Sequence, residues 1–122
     1  LVDGFDGEQI IDALVEEPFF QDCRHALSPD GVFVTNWWSG DKRYQRFIER
    51  LLNVFEGRVL ELPAESHGNM AVMAFQSSPK EQNLDKLKKR AEKLSEQYGL
   101  DFKRMLNDLK ANNPNNGKHF YL

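Results

Sequence analysis

Ser28-Pro29-Asp30-Gly31-Val32-Phe33-Val34-Thr35-Asn36-Trp37-Trp38-Ser39-Gly40-Asp41 is the stretch that decides the fold. Its first four residues have the composition of a turn. Val32-Phe33-Val34-Thr35 is a short β-branched run, the pattern of a strand buried on both faces. Gly40-Asp41 then opens a helix. Tyr44, Phe47, Ile48, Leu51, Leu52 and Phe55 fall on one stripe of it, and Gly57 stops it.

Working upstream, Leu1-Val2-Asp3 reads as the last residues of another buried strand, followed by a loop holding Gly4 and Gly7. Ile10, Ile11, Leu14 and Val15 recur at helical spacing. Pro18 interrupts that helix and suits the first turn of a second, short one carrying Phe19, Phe20 and Cys23. Downstream, Arg58–Leu62 and Met70–Gln76 read as strands joined by the loop Pro63–Asn69. Strand, helix, strand, helix, strand is the signature of a parallel α/β sheet. The last two strands have no helix between them, so an antiparallel hairpin is expected there.

Beyond Ser77-Ser78-Pro79 the character changes. Residues 1–79 carry 6 basic and 13 acidic side chains, whereas residues 80–111 carry 9 basic and 6 acidic. Ser78-Pro79-Lys80-Glu81 has the spacing of a capping box. Leu84, Leu87, Ala91, Leu94 and Tyr98 form one apolar seam, and Gly99 stops the helix. Asp101 is placed to cap a second helix with Phe102, Met105, Leu106 and Leu109 on its buried stripe, ended by Asn112-Asn113-Pro114. The expected organisation is a truncated α/β unit over 1–76, a helical extension over 77–111 and a frayed, flexible tail over 112–122.

Composition excludes more than it selects. The chain has 122 residues, 40% hydrophobic and 29% charged, which fits one globular domain at most. A formal net charge of −3 argues against wholesale binding to nucleic acid or to an anionic membrane. The longest apolar run, Met70–Phe75, falls far short of the roughly 20 residues of a membrane helix. Cys23 is the single cysteine, so an internal disulfide is impossible and no metal site is expected. With no signal-peptide pattern read at the start, a cytoplasmic location is expected. A strand of about five residues ending at Asp3 would begin before Leu1, so a piece of a longer protein is expected.

In open α/β sheets, ligands bind beyond the carboxyl ends of the parallel strands. Two such ends are legible: Asp3-Gly4-Phe5-Asp6-Gly7-Glu8 and Asn36-Trp37-Trp38-Ser39-Gly40. The loop Pro63-Ala64-Glu65-Ser66-His67-Gly68-Asn69 closes a hairpin beside them. Carboxylates gathered on such a crest suit a cationic ligand, or a base that takes a proton from one.

Val2-Asp3-Gly4-Phe5-Asp6-Gly7, then Phe19-Phe20 and Cys23-Arg24, then Leu27-Ser28-Pro29-Asp30-Gly31-Val32-Phe33-Val34 together resemble the second half of the spermidine synthase family. The resemblance covers residues 1 to about 76. It implies the C-terminal half of a Rossmann-like, class I methyltransferase-type sheet with a terminal antiparallel hairpin. It also implies that the intact protein transfers an aminopropyl group from decarboxylated S-adenosylmethionine, its co-substrate, to a polyamine such as putrescine. Asp3 maps to the catalytic base and Asp6 to a carboxylate that holds the cationic substrate. The family pattern Pro-Thr-Tyr-Pro-Ser-Gly aligns with Pro63-Ala64-Glu65-Ser66-His67-Gly68, which puts Glu65 in a substrate-binding position where the family has tyrosine. A second departure is Gly7-Glu8-Gln9 after Asp6, where relatives have proline. The glycine-rich nucleotide loop lies outside this stretch, so no cofactor-binding residue is expected here and the piece alone is expected to be inactive.

Two other functions fit the same pattern: a non-catalytic interaction module using the helical extension as a docking arm, and an S-adenosylmethionine-dependent methyltransferase. Structural readings are favoured for the remaining residues. Trp37 and Trp38 are expected to pack against a neighbouring domain, and Cys23 to fill a buried helix face. His67 reads as an exposed loop histidine, and His25 and His119 show no partners in the sequence. Lys86, Lys88, Lys89, Arg90 and Lys93 read as a solvated helix face. An exposed edge at the Asp3 strand predicts self-association, with a homodimer as the simplest form.

Overall fold

The computed structural model describes residues 1–6, 9–65 and 68–122. Two very short strands, β1 (Phe5–Asp6) and β2 (Gln9–Ile10), pair antiparallel, and a single 3-10 turn over Asp12–Val15 follows. Helix α1 (Glu17–Ala26) carries Pro18 in its first turn, where the missing N–H costs nothing. Strand β3 (Val32–Trp38) leads into helix α2 (Tyr44–Val54). The hairpin of β4 (Val59–Pro63) and β5 (Asn69–Phe75) comes next, then helices α3 (Leu84–Tyr98) and α4 (Phe102–Asn112).

The sheet runs in the order β3-β5-β4, and both pairings are antiparallel. Strands β3 and β4, joined through α2, therefore point the same way but are separated by β5. A parallel contact lies on the other side of β3: Val2 bridges Thr35, with its N–H donating to the Val34 carbonyl at 2.7 Å and its carbonyl accepting from Asn36 N–H at 3.1 Å. The expected hairpin is present. The expected parallel sheet reduces, among the described residues, to that one parallel bridge, because β5 takes the place beside β3.

Side-chain alternation divides the sheet into two faces. Phe33, Trp37, Val59, Val72 and Ala74 pack with Phe20 of α1 and with Tyr44, Phe47, Ile48 and Leu51 of α2 in one core. Aromatic contacts tie it together: Trp37 lies 6.0 Å from Phe20, 5.6 Å from Phe47 and 6.2 Å from Tyr44, centroid to centroid. On the opposite face Leu60, Met73 and Phe75 meet Leu84, Leu87, Leu106, Leu109 and Phe120. The basic helical pair thus covers the second face of the sheet.

Several expectations need correction. Ile10, Ile11, Leu14 and Val15 do not share a helix: Ile10 pairs with Phe5, and Glu16 is extended at φ −97°, ψ 150°, leaving room for one 3-10 turn. Strand β3 is seven residues long and its burial alternates, with Phe33, Thr35 and Trp37 inside and Val32 and Trp38 exposed, so it is not buried on both faces. The capping box at Ser78 is not used. Helix α3 starts six residues later, where the Asn83 side chain accepts the Lys86 N–H at 3.0 Å, next to the first residue of the apolar seam.

The terminal segment also differs from a frayed tail. Phe120 is buried, its N–H donates to the Gln82 carbonyl at 3.1 Å, and Leu84 N–H donates to the Lys118 carbonyl at 2.8 Å. Phe120 plugs the gap between α3 and the sheet, and that burial outweighs the entropy of a short polar stretch. Gly99 (φ 67°) ends α3 and Asp101 caps α4 through Arg104 N–H at 3.0 Å, as the sequence predicts.

Candidate functional site

The Val2–Thr35 bridge fixes where Asp3 lies. Val2 turns toward the aromatic core, so the next residue projects on the other side of the sheet, beside Asn36. The Asn36 carboxamide donates to Asp3 Oδ1 at 3.4 Å. Asp3 is exposed at the crest of the sheet. An exposed carboxylate beside a neutral donor is able to bind an ammonium group or to accept its proton.

Two residues further along β3, on the same face as Asn36, stands Trp38. It is 45% exposed, whereas Trp37 is 1% exposed in the core. The two tryptophans do not act as a pair. Period-two alternation sends one inward and the other to the crest, a distinction available in the sequence once β3 is taken to continue past Thr35. Asn36 is a second residue missed at the sequence level, because an amide at a strand end gives no signal until its neighbour is known.

The loop between β4 and β5 closes over this end of the sheet. Ser39 N–H and Ser39 Oγ both donate to the Gly68 carbonyl, at 2.9 Å and 2.8 Å. Gly68 has φ 68° and lies against Trp38: a Cβ there would sit 3.2 Å from the indole Nε1. Glu65 on the same loop is exposed and ion-paired with Arg104 of α4, which also meets Asp108 at 3.4 Å. Glu65 is therefore engaged by the protein's own guanidinium.

The backbone of Asp6 lies in β1; its side chain, like His67, falls outside the described detail. Behind the crest, Tyr44 donates its hydroxyl to Glu61, and burial and that carboxylate push the phenol far above its usual range. Asp41, at the start of α2, accepts from Arg43 N–H at 2.8 Å and from its guanidinium at 3.1 Å and 2.9 Å, which holds the carboxyl below the usual range. Cys23 is half-buried against the aromatic core, and burial raises its thiol pKa. The lysines of α3 face solvent.

A cavity lies elsewhere. A hollow of about 850 Å³ lined by Arg24, His25, Pro29, Glu56, Gln76 and others sits at the opposite end of the sheet. Its arginine donates to Gln76 Oε1 at 3.2 Å, to Glu56 at 2.8 Å and to the Val54 carbonyl. It ties α1 to the ends of α2 and β5. Among the described residues no cluster of metal-ligating side chains is present, and no helix is long and apolar enough to cross a membrane.

Sequence comparison with known proteins finds similar chains. All 122 residues align, at 88% identity, with proteins from Neisseria meningitidis serogroups A and B, and at 62% with one from Chromobacterium violaceum. The three relatives carry the name polyamine aminopropyltransferase. The chain spans about half the length of these curated relatives, 46% for the first two and 47% for the third. No family model and no solved structure matches it.

Proposed function

We propose that the whole protein containing this chain transfers an aminopropyl group from decarboxylated S-adenosylmethionine to a polyamine such as putrescine, with Asp3 as the base. One observation carries the reading: Asp3 stands exposed on the sheet crest, oriented by Asn36, in a chain 88% identical to relatives named for this reaction. The parallel Val2–β3 contact and the β3-α2-β4 crossover support the finer fold reading, half of a Rossmann-like, methyltransferase-type sheet.

The chemistry follows from charge. A polyamine nitrogen is protonated near neutral pH and has no lone pair to give. Asp3 accepts the proton; the freed lone pair attacks the aminopropyl carbon bound to the sulfonium; the carbon–sulfur bond breaks and its electron pair leaves with neutral methylthioadenosine. Holding amine and sulfonium in line supplies much of the acceleration. Asp6 adds a second carboxylate for the cationic substrate. Glu65 takes part only when Arg104 releases it. None of the described residues is assigned to the nucleotide, so the piece alone is expected to be inactive. The same reading makes the polyamine the partner, excludes nucleic acid and membrane, puts the protein in the cytoplasm and allows a homodimer.

The test uses the whole protein with decarboxylated S-adenosylmethionine and a panel of diamines, with methylthioadenosine followed by mass spectrometry. Methylthioadenosine formed only when an amine is present supports the reading. A folded protein that forms none, or that instead transfers methyl groups from S-adenosylmethionine, contradicts it.

A further inference from the structure

We propose that the groove between α3 and α4 binds a chain of phosphates, held by Lys88, Lys103 and Lys110. None of its residues belongs to the crest that carries Asp3, and the inference does not depend on the aminopropyl-transfer reading.

The two helices border a hollow of about 350 Å³. Lys103, Leu106, Asn107 and Lys110 line it from α4, on positions that the helical repeat puts on one face, and Lys88 lines it from α3. Lys103 and Lys110 stand about 10.5 Å apart along the helix axis, with Asn107 between them. Leu106 packs into the core below and gives the groove a fixed floor. Asp85 is the single carboxylate among the described lining residues, against three ammonium groups.

Those three charges have no partner of their own. Arg24, Arg43, Arg58, Lys86 and Arg104 are all ion-paired, whereas among the described residues Lys88, Lys103 and Lys110 pair with no carboxylate, Asp85 included. The acids nearest in α4 are already used: Asp101 accepts the Arg104 N–H as the helix cap, and Asp108 meets the Arg104 guanidinium at 3.4 Å. Like charges around one concavity repel and set up a positive potential inside it, which an anion relieves. Lysine is a point charge on a flexible stem, so it follows a line of phosphate oxygens without the planar match that an arginine fork requires. A single phosphate placed at Lys103 leaves Lys110 unpaired. A chain of phosphates reaches from one to the other, and the Asn107 carboxamide offers a donor to the oxygens between them. An inorganic oligophosphate and the phosphate tail of a nucleotide share this chemistry.

The test titrates the whole protein with sodium tripolyphosphate, ATP and orthophosphate by isothermal calorimetry at low ionic strength. The variants are Lys103→Gln, the double variant Lys103→Gln/Lys110→Gln, and Lys93→Gln, which alters a lysine of α3 outside the groove. Tripolyphosphate is expected to bind more tightly than orthophosphate, with an affinity that falls as salt is added. Lys103→Gln is expected to weaken it about three-fold and the double variant on the order of ten-fold, with Lys93→Gln close to the natural sequence. Thermal midpoints without ligand establish that each variant folds. ATP that binds as tightly as tripolyphosphate supports recognition of the phosphates alone; ATP that binds more tightly, and loses that affinity in the double variant, supports a nucleotide. No tripolyphosphate binding at millimolar concentration, orthophosphate binding just as tightly, or equal weakening by Lys93→Gln and Lys103→Gln overturns the inference and leaves aminopropyl transfer standing.

Discussion

The Asn113 carboxamide stands in for a neighbouring strand at Glu61: its Oδ1 accepts the Glu61 N–H at 2.7 Å and its Nδ2 donates to the Glu61 carbonyl at 2.8 Å. β4 is an edge strand, and this side chain satisfies in its middle the backbone groups that would otherwise invite another strand. Asn113 is itself buried and also donates to the Leu109 carbonyl, so it joins the end of α4 to the sheet. Asn113→Ala is expected to lower stability by about 1–3 kcal/mol, because it leaves buried backbone groups unpaired. Asn113→Asp, which keeps the acceptor and loses the donor, is expected to cost a similar amount. Urea denaturation of both variants measures this.

The adjacent tryptophans should respond very differently to truncation. Trp37→Ala opens a cavity between Phe20, Tyr44 and Phe47 and is expected to cost about 3–5 kcal/mol. Trp38→Ala removes a half-exposed ring and is expected to cost about 1 kcal/mol or less. Paired denaturant titrations give both values, and equal losses would contradict the alternation of β3.

Tyr44 makes stability fall on the alkaline side. Its folded pKa is raised by burial first and by the Glu61 carboxylate second, so above pH of about 10 the unfolded chain releases a proton that the folded chain keeps. The stabilisation is complete below that pH and is lost as pH rises further. Spectrophotometric titration is expected to find one phenol, absent in Tyr44→Phe, that ionises only as the chain unfolds.

Asp41 acts on the acid side with the opposite sign. Hydrogen bonds from Arg43 depress its folded pKa, so its contribution is present above the unfolded value of about 3.9 and is lost as pH falls through the folded one. Asp41→Asn is expected to flatten the acid limb of a plot of thermal midpoint against pH and to leave the neutral region lower. An unchanged acid limb would show that the Asp41–Arg43 contact contributes nothing.

Local patterns carried much of this structure and long-range pairing did not. The stripe from Tyr44 to Phe55, the stop at Gly57, the β4–β5 hairpin and the caps at Gly99 and Asp101 follow from periodicity and side-chain chemistry within a few residues. The insertion of β5 between β3 and β4 does not, because strand order depends on contacts far apart in sequence. The docking of Phe120 and the choice of Asn83 over Ser78 were hidden for the same reason: each is decided by an apolar surface on another element. At the site, the position of Asp3 at a strand end was legible, whereas the Asn36 contact, the exposure of Trp38 and the Arg104–Glu65 pair required the register.

The most direct test of the account is methylthioadenosine formation by the whole protein with Asp3 and with Asp3→Asn, under saturating decarboxylated S-adenosylmethionine and putrescine. Removal of a general base predicts a fall in rate on the order of 10²–10⁴ with the fold unchanged by circular dichroism. A variant that turns over at the rate of the natural sequence would contradict the assignment of Asp3 as the base.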